Sequence, residues 1–227
     1  MREARIAWHE LSAVYERLGE TQAALDALRS AIAYDTRLRD KEALDRAARN
    51  EMRMELARAA SEWSRLAEED ALTGLPNRRA LGVWLAAAFL RVRRGEPIAI
   101  LLLDIDHFKA INDTYGHLVG DVVLREVASL LRDGTRPSDL PSRFGGEEFV
   151  VALASTDIAH ALDIAARIHG EVARHTWTAS APGLAVTVSI GVAGSAEAAD
   201  PEALLAVADR RLYAAKRAGR NLVIAAD

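Results

Sequence analysis

The chain has 227 residues, half of them hydrophobic and 27% charged, which allows one catalytic-sized domain plus an accessory segment and argues against disorder. A formal net charge of −4 excludes a bulk electrostatic grip on a nucleic-acid polymer or an anionic membrane, so any anion site has to be local. With no cysteine, the chain has no disulfides, no thiolate metal sites and no cysteine nucleophile.

From Arg2 to about Leu66 there is neither proline nor a strand-like run, and apolar residues recur at helical spacing with only Gly19 interrupting. Around that glycine, Trp8, Leu11, Ser12, Tyr15, Ala24, Leu28 and Ala31 fit the large and small positions of a helix pair. The segment resembles one tetratricopeptide repeat over residues 5–36, with Thr36 where that family often has proline; a generic helical hairpin is the alternative. One such pair cannot bury both its faces, so residues 1–36 are expected to cap a longer array or to pack against a second subunit. A regulatory protein is a further partner that nothing excludes there. Residues 37–69 read as one long charged helix in which Met52, Leu56, Ala59, Trp63 and Leu66 make a short coiled-coil seam. A helix packed on its own chain is the alternative. Roughly 30 helical residues reach about 45 Å, enough to set the distance between two attached domains.

After Asp70 the texture alternates. Helices are expected near Arg78–Arg93, Phe108–Tyr115, Val119–Arg132, Ile158–His175 and Pro201–Ala218, and strands at Ile98–Ile105 and Ala185–Val192. A hairpin is expected around Gly145-Gly146. This is an α/β pattern, a mixed central sheet with helices on its faces, preceded by the all-α hairpin and the long helix. Sites in such folds lie at strand ends and loop tips. The longest apolar runs, such as Ile98–Leu103, are too short to span a bilayer and no apolar leader opens the chain, so no membrane association and a cytoplasmic location are expected. The histidines show no paired metal-ligand spacing, which argues against a zinc site.

The run Leu101-Leu102-Leu103-Asp104-Ile105-Asp106 drives an apolar strand into two carboxylates, and burying them unpaired would be costly. Residues two apart share a strand face, so Asp104 and Asp106 could approach one Mg²⁺ through hard oxygen ligands. We assign Asp104 to the metal and expect Asp106 to cap the helix that begins near Phe108. In Arg143-Phe144-Gly145-Gly146-Glu147-Glu148-Phe149, a two-glycine turn between strand-like segments puts two acids at a hairpin tip. Without Cβ atoms, Gly145 and Gly146 let a triphosphate lie against the turn, and Glu147 or Glu148 could join Asp104 on a metal.

These motifs together resemble the GGDEF family, in the Gly-Gly-Glu-Glu-Phe form of its namesake motif at Gly145–Phe149. The likeness covers roughly residues 70–227. It includes Asp70-Ala71-Leu72-Thr73-Gly74-Leu75-Pro76-Asn77-Arg78-Arg79, the block Asp104–Asp121, Val188-Ser189-Ile190-Gly191, and the closing helix through Asn221. The resemblance implies a fold like a nucleotide cyclase or polymerase palm, and an activity, diguanylate cyclase, that joins two GTP into cyclic di-GMP. It implies that Asp104, Glu147 and the Ile105 carbonyl hold two Mg²⁺ ions, with Mn²⁺ as a substitute, and that Glu148 is a supporting acid. It assigns Asn112 and Asp121 to guanine, although Asp121 could equally serve its helix N-terminus. Lys109, Lys216 and Arg220 fall to phosphate, the last two being four apart on a helix and hence on one face.

The resemblance also implies a product-inhibition site at Arg136-Pro137-Ser138-Asp139, which read alone is a turn, with Arg167 as a second arginine. Since one such domain binds one GTP, two must face each other, which makes a homodimer through the N-terminal helices the expected assembly. Members that have lost catalysis act as nucleotide sensors or interaction modules, usually with altered acids or glycines; here Asp104, Gly145, Gly146, Glu147 and Glu148 are intact.

Overall fold

The computed structural model describes residues 2–177 and 181–226, and the side chains of residues 2–5 and 57–67 lie outside that description. It divides into two compact units, Met1–Trp63 and Ser64–Asp227.

In the first unit α1 (Arg2–Arg17) turns at Gly19, whose φ is +77°, into α2 (Thr21–Glu68). Thr36, unlike a proline, keeps its amide and donates its hydroxyl to the Ile32 carbonyl at 3.0 Å, and α2 runs through that position unbroken. The seam between α1 and α2 is built from small residues: Ser12, Ala24, Ala27 and Ala31 are buried, and the Ser12 hydroxyl donates to the Ala24 carbonyl at 3.1 Å. Larger residues of the pair, among them Trp8, Leu11 and Leu28, each stay 38% exposed, so the hairpin alone leaves much of its apolar surface uncovered. Of the expected coiled-coil seam, Met52 and Leu56 are exposed. Ala59, Trp63 and Leu66 fall among the residues whose side chains are not described.

The second unit is a five-stranded sheet in the order β2-β3-β1-β4-β5, formed by β1 (Ala99–Ile105), β2 (Leu140–Gly145), β3 (Glu148–Leu153), β4 (Val188–Gly194) and β5 (Val223–Ile224). Pairing is antiparallel except between β4 and β5. β1 is flanked on both sides and buried along its whole length, which explains its unbroken apolar run. Alternation along β1 splits the core. Leu101, Leu103 and Ile105 pack with α5 (His117–Asp133) and α6 (Ile158–Arg174). Ile100 and Leu102 pack with α3 (Arg78–Val92) and α7 (Pro201–Arg217). A short α4 (Phe108–Tyr115) links β1 to α5.

α7 lies unusually close to the sheet because of Gly191: a Cβ there would sit 2.1 Å from the Ala208 carbonyl oxygen and 2.4 Å from the Leu212 nitrogen. This approach brings the end of α7 to the end of β1. The expected helices and strands are all present, and the mixed sheet under two layers of helix is the anticipated class. β5 was not anticipated, since two residues carry no readable alternation. Among the described residues no helix is long and apolar enough to cross a membrane.

Candidate active site

Asp104 shares the strand face of Ile100 and Leu102, so it points to the α7 side, and it is 7% exposed. Glu148 stands directly across from it on β3. The hairpin turn lies one residue later than the two-glycine turn expected from the sequence: Gly145 still pairs with Glu148, and the turn consists of Gly146, at φ +48°, and Glu147. The Ile105 amide donates to the Glu147 carbonyl at 3.3 Å, tying the turn to the end of β1. From the last turn of α7, Lys216 brings its Nζ to 2.7 Å from Asp104 Oδ2.

The electrostatics follow from this crowding. Burial pushes the Asp104 carboxyl above its ordinary range; Lys216 pulls it back, while Glu147 and Asp106 add to the rise. Burial also raises Glu148, followed by the charge of Asp104, with Lys216 opposing and Asp209 and Glu147 adding. Carboxylates held above their usual range by burial and by one another's charge are stabilised by a cation. Asp104, Glu147 and the Ile105 carbonyl, the groups that the family resemblance assigned to metal, offer only oxygen, the kind of donor that Mg²⁺ takes. Among the described residues no three histidine or acidic side chains close into a cage.

Two further networks shape the tip. Arg143 donates to the Gly146 carbonyl at 3.0 and 2.7 Å and to Asp70 Oδ1 at 3.0 Å, so it clamps the turn to the Asp70–Arg79 segment. Asp70 also accepts from the Thr73 amide and hydroxyl. Burial works against the Asp70 charge, but the bonds from Thr73 and Arg143 outweigh it and hold the carboxyl below its ordinary value. Arg143 and Asp70 stand within the sequence motifs, but no local pattern signals that they pair across 73 positions.

Asn112 on α4 lies against Gly120 on α5 so closely that a Cβ at Gly120 would stand 2.0 Å from Asn112 Oδ1. Gly120 precedes Asp121, so the two expected guanine readers share one α4–α5 corner. Gly120 went unnoticed in the sequence, although a lone glycine inside a helical pattern often marks such a packing need. α5 begins at His117, which puts Asp121 beyond the first turn and weakens its reading as a helix-terminus acid. Lys109 is exposed on the first turn of α4.

Two expectations are corrected. Asp106 does not cap α4; the N-cap position is His107, at φ +55° with no side-chain cap bond. The Asp106 carboxylate is drawn to β4 instead, accepting from Ser189 Oγ at 2.6 Å and from Thr187 Oγ1 at 2.7 Å. Arg220 does not share a helix face with Lys216, because α7 ends at Arg217 and Arg220 lies beyond it at φ +65°.

The Arg136–Asp139 segment forms a turn: Asp139 Oδ2 accepts from the Arg136 amide at 3.1 Å, and its Oδ1 from the Ala154 amide at 3.2 Å. Arg167 reaches the same end of α5, donating to the Gly134 carbonyl at 2.6 Å and lying 3.3 Å from Glu171. The structure thus brings Arg167 next to the segment with which the sequence had grouped it.

With this geometry in place, the similarities to known proteins are specific. Residues 67–222 match the family described as diguanylate cyclase, GGDEF domain. Over 163 residues the chain is 49% identical to the response regulator PleD of Caulobacter vibrioides, covering 70% of this chain and 36% of PleD. Over 154 residues it is 40% identical to the diguanylate cyclase DgcZ of Escherichia coli, covering 67% of this chain and 51% of that protein. The chain therefore spans between about a third and a half of these relatives.

Among solved structures, the coiled coil and GGDEF domain of DgcB from Caulobacter crescentus, in complex with c-di-GMP, superposes with a TM-score of 0.70 at 32% identity. That match covers 86% of this chain and 100% of DgcB's. The diguanylate cyclase SiaD from Pseudomonas aeruginosa, in complex with its activator SiaC, gives 0.72 at 32% identity over 94% of this chain and 82% of SiaD's. The acids, the hairpin and the extent of these matches agree: this chain belongs to the GGDEF family of diguanylate cyclase domains.

Proposed function

We propose that the protein is a diguanylate cyclase, condensing two GTP molecules into cyclic di-GMP with release of two pyrophosphates. The observation that carries this reading is buried Asp104, set against Glu148 beside the Gly146–Glu147 turn, with Lys216 at 2.7 Å.

Asp121 takes guanine, because a carboxylate can accept from both N1–H and the exocyclic amino group, a pair adenine does not offer, and Asn112 completes the contact. The triphosphate lies along Gly145 and Gly146, with Lys109, Lys216 and Arg220 neutralising it. The 3′-hydroxyl of one GTP attacks the α-phosphorus of the other, the α–β phosphoanhydride bond breaks, and pyrophosphate leaves; a second, reciprocal transfer closes the ring. Asp104, Glu147 and the Ile105 carbonyl would hold Mg²⁺, or Mn²⁺, two ions per site. Such ions, when bound, activate the attacking oxygen and offset charge on the leaving group. Glu148, whose hold on a proton is raised by burial and by Asp104, is suited to take the proton of the attacking hydroxyl. Lys216 exchanges its Asp104 partner for phosphate as substrate arrives.

Each domain holds one GTP, so two chains act together as a homodimer through α1 and α2. The exposed apolar surface of the hairpin supports that role, or the docking of a regulatory protein. Arg136, Asp139 and Arg167 form a site at which cyclic di-GMP inhibits, their common place at the end of α5 supporting the assignment. A cytosolic substrate puts the protein in the cytoplasm.

The test is product analysis after incubation with GTP and Mg²⁺ across a range of protein concentrations. Cyclic di-GMP forms with a rate per chain that rises with concentration, and Asp104→Asn or Glu147→Gln lowers it by about 100-fold or more without lowering the melting temperature. Turnover unchanged in both variants removes the assignment.

A further inference from the structure

Asp106 has no part in the chemistry above, yet it is 4% exposed and its carboxylate has collected three donors. Oδ1 accepts from Ser189 Oγ at 2.6 Å. Oδ2 accepts from Thr187 Oγ1 at 2.7 Å and from the backbone amide of Asn221 at 2.9 Å. The Asp106 amide donates in turn to the Thr187 carbonyl at 2.9 Å. The third donor is the informative one, since Asn221 is 115 residues away and belongs to the loop that leaves α7.

That loop adopts a conformation that Arg220 does not favour. Gly219, Arg220 and Asn221 have φ of +120°, +65° and +48° in succession, and two of them carry side chains. Glycine and asparagine accept such backbone, but at an arginine it persists only where the surroundings hold it. Two bonds hold this one: the Arg220 amide donates to the Ala215 carbonyl at 3.0 Å, and the next amide, that of Asn221, donates to Asp106. The second is a charge-assisted bond to a buried carboxylate, the stronger kind.

We propose that Asp106 is a positioning residue for phosphate: its carboxylate holds the left-handed Arg220–Asn221 turn at the end of β1, so that Arg220 meets the triphosphate bound beside Asp104. This rests on the reading of Arg220 as a phosphate contact and goes beyond it by naming what puts Arg220 there. The three consecutive residues Asp104, Ile105 and Asp106 thereby carry a metal acid, a metal carbonyl and the anchor of the phosphate loop on one piece of backbone. Ser189 and Thr187 orient the anchor from β4 and the segment before it.

The test uses the full chain and two probes: GTP with a methylene bridge between its α and β phosphorus atoms, which cannot react, and guanosine, which has no phosphate. Binding is measured by calorimetry in Mg²⁺. Asp106→Ala weakens the triphosphate analogue about tenfold and leaves guanosine unchanged, while Asp106→Asn, which keeps an acceptor oxygen, stays within about twofold of wild type. In an Arg220→Ala background, Asp106→Ala adds nothing, because the two act through one contact. Should Asp106→Ala not fold, the double variant Thr187→Val with Ser189→Ala leaves the carboxylate unoriented and weakens the analogue severalfold, guanosine again unchanged. Equal weakening of both probes, no weakening of either, or full additivity with Arg220→Ala overturns the positioning role. If Arg220→Ala alone leaves analogue binding intact, the phosphate reading of Arg220 falls as well.

Discussion

Replacing Gly120 by alanine tests the guanine corner at a single atom. The added Cβ would stand 2.0 Å from Asn112 Oδ1, 3.0 Å from its Cγ and 3.3 Å from Phe108 Cζ. To reach ordinary contact distance the Asn112 amide has to retreat by roughly 1 Å or more. Hydrogen bonds tolerate only about half an ångström of such error, so the guanine contact proposed for Asn112 would be lost. A buried partner left unsatisfied costs about 1–3 kcal/mol, or roughly 5- to 150-fold in affinity. The fold responds in the opposite direction, because alanine in a helix interior is favoured over glycine by about 1 kcal/mol. Initial rates against GTP concentration, with a thermal melt of the same preparation, separate the two effects. The KM for GTP is expected to rise at least about fivefold, with kcat within a few-fold and the melting temperature not lowered. An unchanged KM would show that Asn112 does not read the base. A fall in melting temperature, with kcat and KM both collapsed, would show that Gly120 is required only for packing.

The Asp70–Arg143 clamp predicts a pH-dependent contribution to stability. Because the folded Asp70 carboxyl is held below its ordinary value of 3.8, its stabilisation is complete above that value and is lost as pH falls through the lowered one. Asp70→Asn is expected to cost about 1–2 kcal/mol at neutral pH, a few degrees in melting temperature, with the difference from wild type shrinking below about pH 4. An equal difference at pH 7 and pH 3 would mean that charge is not the cause. Arg136→Ala is expected to relieve product inhibition, read as initial rates with added cyclic di-GMP; equal product sensitivity in wild type and variant removes that site. Deleting residues 1–66 is expected to weaken dimerisation and lower the rate per chain at dilute protein, measured by light scattering and product formation. Retention of both would give the N-terminal helices another task.

Much of the architecture was readable from local pattern. The apolar run ending in Asp104 reads as a buried central strand because β1 is covered on both faces and both edges, and the Gly145-Gly146 pair marks the hairpin, although only Gly146 lies in the turn, at φ +48°. The acids at the end of β1 were legible because buried charge after an apolar strand requires a purpose. Local pattern misled where an element stopped. Arg220 continues the helical spacing of Lys216, but α7 ends before it and the chain turns left-handed. It also misled at Asp106, where capping is the commonest use of an aspartate ahead of a helix and a stronger set of donors took the carboxylate.

The element order and the core faces could be read from the chain, as could the acids that are candidates for the chemistry, because these depend on periodicity and on residue chemistry within a few positions of one another. Only the tertiary structure decided which distant residues meet. The strand order puts β1 between β3 and β4, which sets Asp104 against Glu148 and Asp106 against Ser189. Gly191 admits α7 close enough for Lys216 to reach Asp104, and Gly120 admits the Asn112 amide. These contacts join residues far apart along the chain, and they exist only once the sheet has closed and its helices have packed against it.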